Sequence, residues 1–395
     1  MPGSARPERT AFFRRRIFQA CLGKLHEAGE RNVGGAGKRL RSETDYVKER
    51  YITEMKPVSH TFFLYNTICS AAIYDERDDA EMLLREIKKR AMDIRRMLDF
   101  YDPESELGKL NRGHRTGIPK RVSKELCTFI MHLLDFSEKS GGCFDPSVGP
   151  AVKLWNIPSQ NPHVPKKQEI ERVMKQTGTS HISCDEKECT VTFWKPGMQL
   201  DAGAAGKGYA VGKAVEYLRS CGVSSAAVNF GGNLFVLGRK PSANGAERPW
   251  KIGIQSPWKH YARNLGTLSL EDCGAATSGG YDRFFTEEGK VYHHLIDPRT
   301  GYPADNTLDS VTIISQNAFY TDLLSTACFI AGEESAGQIC RSVDVNAGYV
   351  LVKKDGSVIL SENVKGRFQP EERRMTCEKN EEDNTNGNTT DYAME

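Results

Sequence analysis

The chain predicts an α+β fold of mixed sheets with flanking helices, arranged as two closely packed lobes. Three observations carry that reading. Some stretches repeat apolar residues at helical spacing, others alternate them at period two, and the two kinds are mixed without a regular βαβ cadence. At 395 residues the chain is long enough to bury one large core or two modest ones.

The elements follow in order. Ala80, Leu83, Leu84, Ile87, Ala91, Ile94 and Leu98 share one face of a predicted helix that ends near Asp99, with charged residues opposite. Ser123 is placed to cap a second helix running to Lys139, which Gly141 and Gly142 stop. The stretch Gln199 to Gly212, QLDAGAAGKGYAVG, reads as a strand-to-helix turn. Its helix carries Val211, Ala214, Val215 and Leu218 on one face, halts at Gly222, and leads into the buried strand AAVNF. Trp250, Ile252 and Ile254 alternate with Lys251, Gly253 and Gln255 as a half-buried strand does. A further helix spans from about Asn317 to Gly332, and Asp355-Gly356 divides YVLVKK from SVIL as a hairpin turn would. No repeat of solenoid period is present.

The ends differ in composition from the middle. Residues 1–58 are polar, basic and interrupted by Gly34, Gly35 and Gly37, while residues 369–395 are acidic and Asn-rich; both read as flexible extensions of a folded unit spanning 59–368. The basic clusters at Arg14 to Arg16 and at Lys38, Arg39 and Arg41 are not followed by an apolar stretch of signal-peptide length. No apolar run approaches the ~20 residues of a membrane span. A net charge of +2 argues against nucleic acid as a partner, since that footprint needs basic residues concentrated on one face. The 11 cysteines are scattered and mostly set in apolar runs such as Ala327-Cys328-Phe329, as free thiols in a reducing compartment are, so a cytoplasmic protein is expected. Cys184 and Cys189 lack the second pair that a zinc site needs.

Several segments carry chemistry. In QLDAGAAGKGYAVG, glycines allow close backbone approach, a helix start offers N–H groups and Lys207 adds positive charge, a combination suited to phosphate. A tight turn with a surface lysine explains the same residues equally well. Asp322 and Thr326, four apart on a helix, project from one face and together suit a hard cation such as Mg²⁺. Taken alone, that pair is better explained as an acid near a helix start with a threonine bonded to the preceding turn. His293 and His294 precede IDPRTG, whose Pro298 and Gly301 form a turn holding them at a strand end, where one imidazole is able to move a proton near neutral pH. A structural histidine is the commoner case. The loops FDPSVGP, from Phe144, and Ser278-Gly279-Gly280-Tyr281 suit ligand contacts or plain turns, and Tyr101 and Trp155 suit ring contacts or core filling.

Taken together and in order, these segments resemble the ApbE family, the FAD:protein FMN transferases. The resemblance begins at SELGKLNRG and runs through GGCFDPSVGPAVKLWNI, QLDAGAAGKGYAVGKA, VNFGGNLFVLG, WKIGIQSP, ATSGGYDRFF and YHHLIDPRTGYPA to TDLLSTACFIAG. It covers about Ser59 to Ser361, and eight segments in the family's order outweigh the plain readings of each. It implies a dinucleotide, FAD, held by Cys143, Phe144, Asp145, Asp201, Lys207 and the backbone of Ile296, with Tyr101 near the adenine or the flavin. It implies Mg²⁺ on the Ala204 carbonyl, the Asp322 carboxylate and the Thr326 hydroxyl. His294, which heads the H-[LIV]-I-D-P pattern, takes the proton-transfer role, with His293 as a neighbour that tunes it.

Three features depart from the family pattern. Its members are commonly exported lipoproteins, whereas Cys21 here follows three arginines and too few apolar residues for a lipobox. Tyr65-Asn66-Thr67 stands where the family has Met-Gly-Thr, which leaves the first flavin contact open. The basic head and acidic tail have no counterpart. The activity implied is Mg²⁺-dependent transfer of FMN from FAD to a Ser/Thr hydroxyl of another flavoprotein, at a Ser/Thr-Gly-Ala-Ser/Thr type motif, with release of AMP. The alternatives are Mg²⁺-dependent FAD pyrophosphatase activity and a non-catalytic flavin carrier.

Overall fold

A computed structural model describes residues 56–157, 162–242, 245–258 and 264–371. Cys21, most of the basic head and nearly all of the acidic tail lie outside the described residues. The centre is an eight-stranded antiparallel sheet. Its strand order is Val58–Leu64, Thr67–Ile73, Ala226–Phe230, Asn233–Leu237, Cys273–Gly279, Leu308–Ser315, Gly348–Lys353 and Val358–Leu360.

Period-two alternation gives this sheet two buried faces. Ala226, Val228, Phe230, Phe235, Val311 and Ile313 join one core, whereas Val236, Ala275, Ile314, Val350 and Val352 join another. The first core is covered by the helices Ala80–Leu98, Gly206–Ser220 and Ala318–Ala331. The second is covered by a three-stranded sheet of Trp250–Gln255, Asn264–Leu270 and Phe368–Pro370. The two expected lobes therefore share one central sheet. A smaller third core gathers around Trp155, whose indole N–H donates to the Gly301 carbonyl at 2.7 Å.

The periodic elements form as their patterns require. Every residue of the predicted stripe from Ala80 to Leu98 is buried, and complete burial of Leu83, Leu84 and Ile87 contributes about 1.5–3 kcal/mol each. Ser123 caps the Lys124–Lys139 helix by accepting the Leu126 N–H. Asn317 caps Ala318–Ala331 through the N–H groups of Phe319 and Tyr320. The Asp355-Gly356 hairpin joins paired strands, with Gly356 at φ 85°.

One expectation needs correction. Gln199 and Leu200 do not form a strand before the Gly206–Ser220 helix; Gln199 makes a single parallel bridge to Val148. Side-chain and turn bonds replace the ladder. Asn111 clamps Leu200 through both backbone groups at 2.8 Å, and Asp201 N–H donates to the Pro146 carbonyl at 2.7 Å. The last bond ties the FDPSVGP loop to the QLDAGAAG loop, so two segments 55 residues apart in the chain (201 − 146) become one wall.

Candidate active site

At one end of the central sheet, the hairpin turns at Asn66 and Gly231 and the end of the Cys273–Gly279 strand border a cleft of about 290 Å³. Ten of the eleven residues implied by the resemblance line it: Tyr101, Phe144, Asp145, Asp201, Ala204, Lys207, His294, Ile296, Asp322 and Thr326. Cys143 does not. It is buried in the main core, where burial pushes its thiol above the usual range. Its neighbour Phe144 packs edge-on against Phe136 and reaches the cleft.

One wall is charged and tightly built. Asp322 is 4% exposed and accepts the Gly208 N–H on Oδ2 at 2.8 Å, while Lys207 Nζ stands 3.7 Å from Oδ1. A glycine is required at position 208, because a Cβ there would lie 2.5 Å from Asp322 Cβ and 2.7 Å from the Ala318 carbonyl oxygen. Four residues on, Thr326 shares a hydroxyl network in which Ser278 Oγ lies 3.2 Å from Thr326 Oγ1 and 2.8 Å from Ser325 Oγ. Ser325 donates in turn to the Asp322 carbonyl. The expected free N–H groups at the helix start are partly occupied: Gly206 donates to Ala202 O and Gly208 to Asp322. Positive charge for an anion thus rests on Lys207 more than on the helix end.

The donor chemistry of this wall fits a hard divalent cation. Ala204, Asp322 and Thr326 line the same cleft and offer carbonyl, carboxylate and hydroxyl oxygens, and among the described residues Asp322 Oδ1 has only the loose Lys207 contact. Among the described residues no group of three or more His, Cys, Asp or Glu side chains is arranged to hold a metal. A cation here would have few protein ligands, as Mg²⁺ sites completed by substrate phosphates do.

A second part of the lining is a neutral base on a main-chain hook. His294 follows the Lys290–His293 strand, and its N–H donates to the Arg283 carbonyl at 3.1 Å. Its Nδ1 lies 3.3 Å from the same carbonyl, which only accepts, so Nδ1 carries the proton and Nε2 keeps a lone pair. Burial first, then the charge of Arg283, holds this imidazole at about 4; His293 and Lys207 push the same way, and the Arg283 carbonyl opposes them. The ring is therefore uncharged at neutral pH. His293 has the opposite tautomer, with Nε2 donating to Ala304 O at 2.9 Å and Nδ1 accepting from Leu295 N–H, and its ring packs edge-on against Phe329. It is a structural residue that also adds to the depression of its neighbour. The turn behind both is held by Asp297, whose carboxylate binds Arg299 through Nε and NH2 at 2.9 and 2.7 Å.

Also in the lining, Asp201 accepts the Gly203 N–H at 2.8 Å, and desolvation raises its carboxyl while Gly203 and Lys153 oppose the rise. Tyr101 is set at the mouth by the end of the Ala80–Leu98 helix, where Asp99 Oδ1 accepts the Tyr101 and Asp102 N–H groups. Its phenol is pushed up to about 12 by burial and by Asp201, and drawn back by Arg283. Asn233, Thr277, Asp282 and Arg283 also line the cleft. The resemblance assigns them no role, although Asn233 lies in VNFGGNLFVLG and the other three flank Ser278-Gly279-Gly280-Tyr281; proximity to those turns is the available signal.

The sequence profile of the ApbE family matches residues 65–349. The FAD:protein FMN transferase of Treponema pallidum is 32% identical over 327 residues, covering 78% of this chain and 84% of its own length. That of Klebsiella pneumoniae is 35% identical over 276 residues, covering 69% and 83%. The crystal structure of the ApbE protein from Thermotoga maritima superposes with a TM-score of 0.71 at 30% identity, covering 79% of this chain and 99% of that one. The flavin transferase ApbE from Vibrio cholerae does so with a TM-score of 0.70 at 25% identity and the same coverage. With more than half of its length inside that profile, the chain belongs to the ApbE family.

Proposed function

We propose that this chain is an enzyme that moves the FMN moiety of FAD onto a Ser or Thr hydroxyl of a target flavoprotein and releases AMP. The relatives' names supply the reaction class, and one observation supports its chemistry here: a cation-suited, Lys-bearing wall and a neutral imidazole border a single cleft. Tyr101, Phe144, Asp145, Asp201 and the Ile296 backbone are the proposed contacts to FAD, with Cys143 supporting Phe144 from behind.

In this reading the pyrophosphate of FAD lies along Lys207, and the acceptor hydroxyl enters from the His294 side. The hydroxyl oxygen forms a bond to the FMN phosphorus as the bond from that phosphorus to the AMP oxygen breaks. His294 Nε2 takes the hydroxyl proton, an effect worth about 10²–10⁴ in rate. AMP departs with the bridging oxygen and its electron pair. Lys207 neutralises phosphate charge, and the rigid loops position nucleophile and phosphorus in line, which is most of what phosphoryl transfer asks of a protein. A Mg²⁺ ion held by Ala204, Asp322 and Thr326 would neutralise further charge on the phosphate oxygens. The acceptor is proposed to present a Ser/Thr-Gly-Ala-Ser/Thr type motif. A cytoplasmic setting is part of the reading, supported by cysteines that are scattered and mostly set in apolar runs. Among the described residues, no helix is long and apolar enough to cross a membrane.

The test incubates the protein with FAD, Mg²⁺ and a peptide containing Ser-Gly-Ala-Thr, then weighs the peptide and assays AMP. A peptide heavier by one FMN moiety, with AMP in equal amount, is the expected result. AMP with free FMN would replace transfer by hydrolysis, and intact FAD would reduce the protein to a carrier.

A further inference from the structure

Among the described residues, four buried side-chain polar atoms lack a hydrogen-bond partner: His114 Nδ1, Gln199 Oε1, Asn233 Oδ1 and Ser310 Oγ. Only Asn233 of these four residues lines the cleft, and it is 5% exposed. An unsatisfied buried amide oxygen is costly, so a side chain of this kind at a binding surface calls for a donor from outside the fold.

The position is held firmly. Asn233 begins a strand and pairs with Phe230 across the Gly231-Gly232 turn, whose glycines have φ of 61° and 91°. Gly231 N–H donates to Ile68 O, and a Cβ at Gly231 would lie 2.3 Å from Thr67 Cγ2, so the turn is pressed against the neighbouring hairpin. Gly232 N–H is taken by Asn229 Oδ1 at 2.9 Å. Phe235 and Leu237, which follow Asn233 on the same face of the strand, belong to the core under the helices that carry Lys207 and Asp322. Asn233 therefore lies on the sheet face that those two helices cover, at the strand end that borders the cleft.

Resting on the FAD reading, we propose that Asn233 is a specificity-determining residue that accepts a hydrogen bond from a sugar hydroxyl flanking the pyrophosphate. Phosphate oxygens at neutral pH only accept, so they cannot satisfy the amide oxygen. The donors of FAD closest to its phosphates are the hydroxyls of the ribityl chain and of the adenosine ribose. Both sources have the same chemistry, and FMN and ADP separate them.

The test measures dissociation constants for FAD and FMN by flavin fluorescence, and for ADP by calorimetry, in wild type, Asn233→Leu and Asn233→Asp, alongside Tm of the unliganded proteins. Asn233→Leu, similar in volume but without an acceptor, should weaken FAD about tenfold, and Asn233→Asp, which keeps an acceptor oxygen, should recover most of the loss. FMN weakened with FAD while ADP is unchanged assigns the ribityl chain; ADP weakened with FAD assigns the ribose. Unliganded Tm should not fall in Asn233→Leu, since the oxygen has no partner to lose. Wild type binding FAD with every variant matching it would overturn the inference alone, as would a loss of unliganded Tm in Asn233→Leu with FAD affinity intact. Wild type with no affinity for FAD would overturn the FAD reading and the inference together.

Discussion

The two walls of the cleft solve opposite electrostatic problems. The Lys207–Asp322 wall keeps charges in place by packing: a glycine N–H on one carboxylate oxygen, a lysine near the other, and a helix beneath. The His294 wall keeps a side chain uncharged, by burial and by two nearby cations, and aims it with a backbone carbonyl in place of a carboxylate. A carboxylate beside His294 would raise its proton affinity and leave the ring charged over more of the acid range. The contrast teaches that the fold separates charge neutralisation from proton acceptance, and changes on each wall should therefore fail differently.

The largest effect is expected from Asp322→Ala, which removes both the cation ligand and the partner of Gly208 N–H. Transfer should fall on the order of 10⁴-fold, and added Mg²⁺ should restore little of it. Full activity at limiting Mg²⁺, measured by AMP release, would remove Asp322 from the cation site.

His294→Asn should cost about 10³-fold while leaving the Mg²⁺ dependence unchanged. Its pH signature is sharper. With the folded imidazole at about 4 instead of the ordinary 6.5, kcat/KM of wild type should decline in acid only as pH approaches 4, and the variant should lose that limb. The linkage sign follows from the same depression. Between pH 6.5 and about 4 the unfolded chain takes up a proton that the folded chain refuses, so stability falls as pH falls across that window. His294→Asn should flatten that part of a Tm-against-pH curve; an acid limb for kcat/KM near 6.5 would contradict the depressed base.

Gly208→Ala should have the smallest effect on chemistry and a visible effect on packing. The added methyl meets Asp322 Cβ and the Ala318 carbonyl, so stability should drop by about 1–3 kcal/mol and transfer by roughly tenfold as Asp322 is displaced. Unchanged Tm by calorimetry would mean that the two helices yield easily.

The periodic parts of the molecule were legible because burial follows one residue at a time. The stripe from Ala80 to Leu98 and the alternation at Trp250 appear in the structure as the sequence implies, and the caps at Ser123 and Asn317 form. Gln199 and Leu200 were misread because their backbone partners are a side chain, Asn111, and a single bridge, neither of which leaves a periodic trace. In the cleft, the resemblance named residues whose segments have strong local patterns. Asn233 and Arg283 escaped it for another reason. One acts through an unsatisfied atom and the other through a carbonyl and a field, and only three-dimensional placement shows either. Cys143 shows the converse: its segment fits the pattern, while its side chain faces the core.

The separation of the two walls is tested most directly by a crystal structure with FAD and Mn²⁺ in place of Mg²⁺, the ion located by its anomalous scattering. That separation predicts one peak touching Asp322, Thr326 and the Ala204 carbonyl, with the FAD pyrophosphate beside it and His294 Nε2 on the side from which the acceptor hydroxyl reaches the FMN phosphorus. A peak away from Asp322, or a dinucleotide bound with its phosphates outside the Lys207 wall, would contradict it.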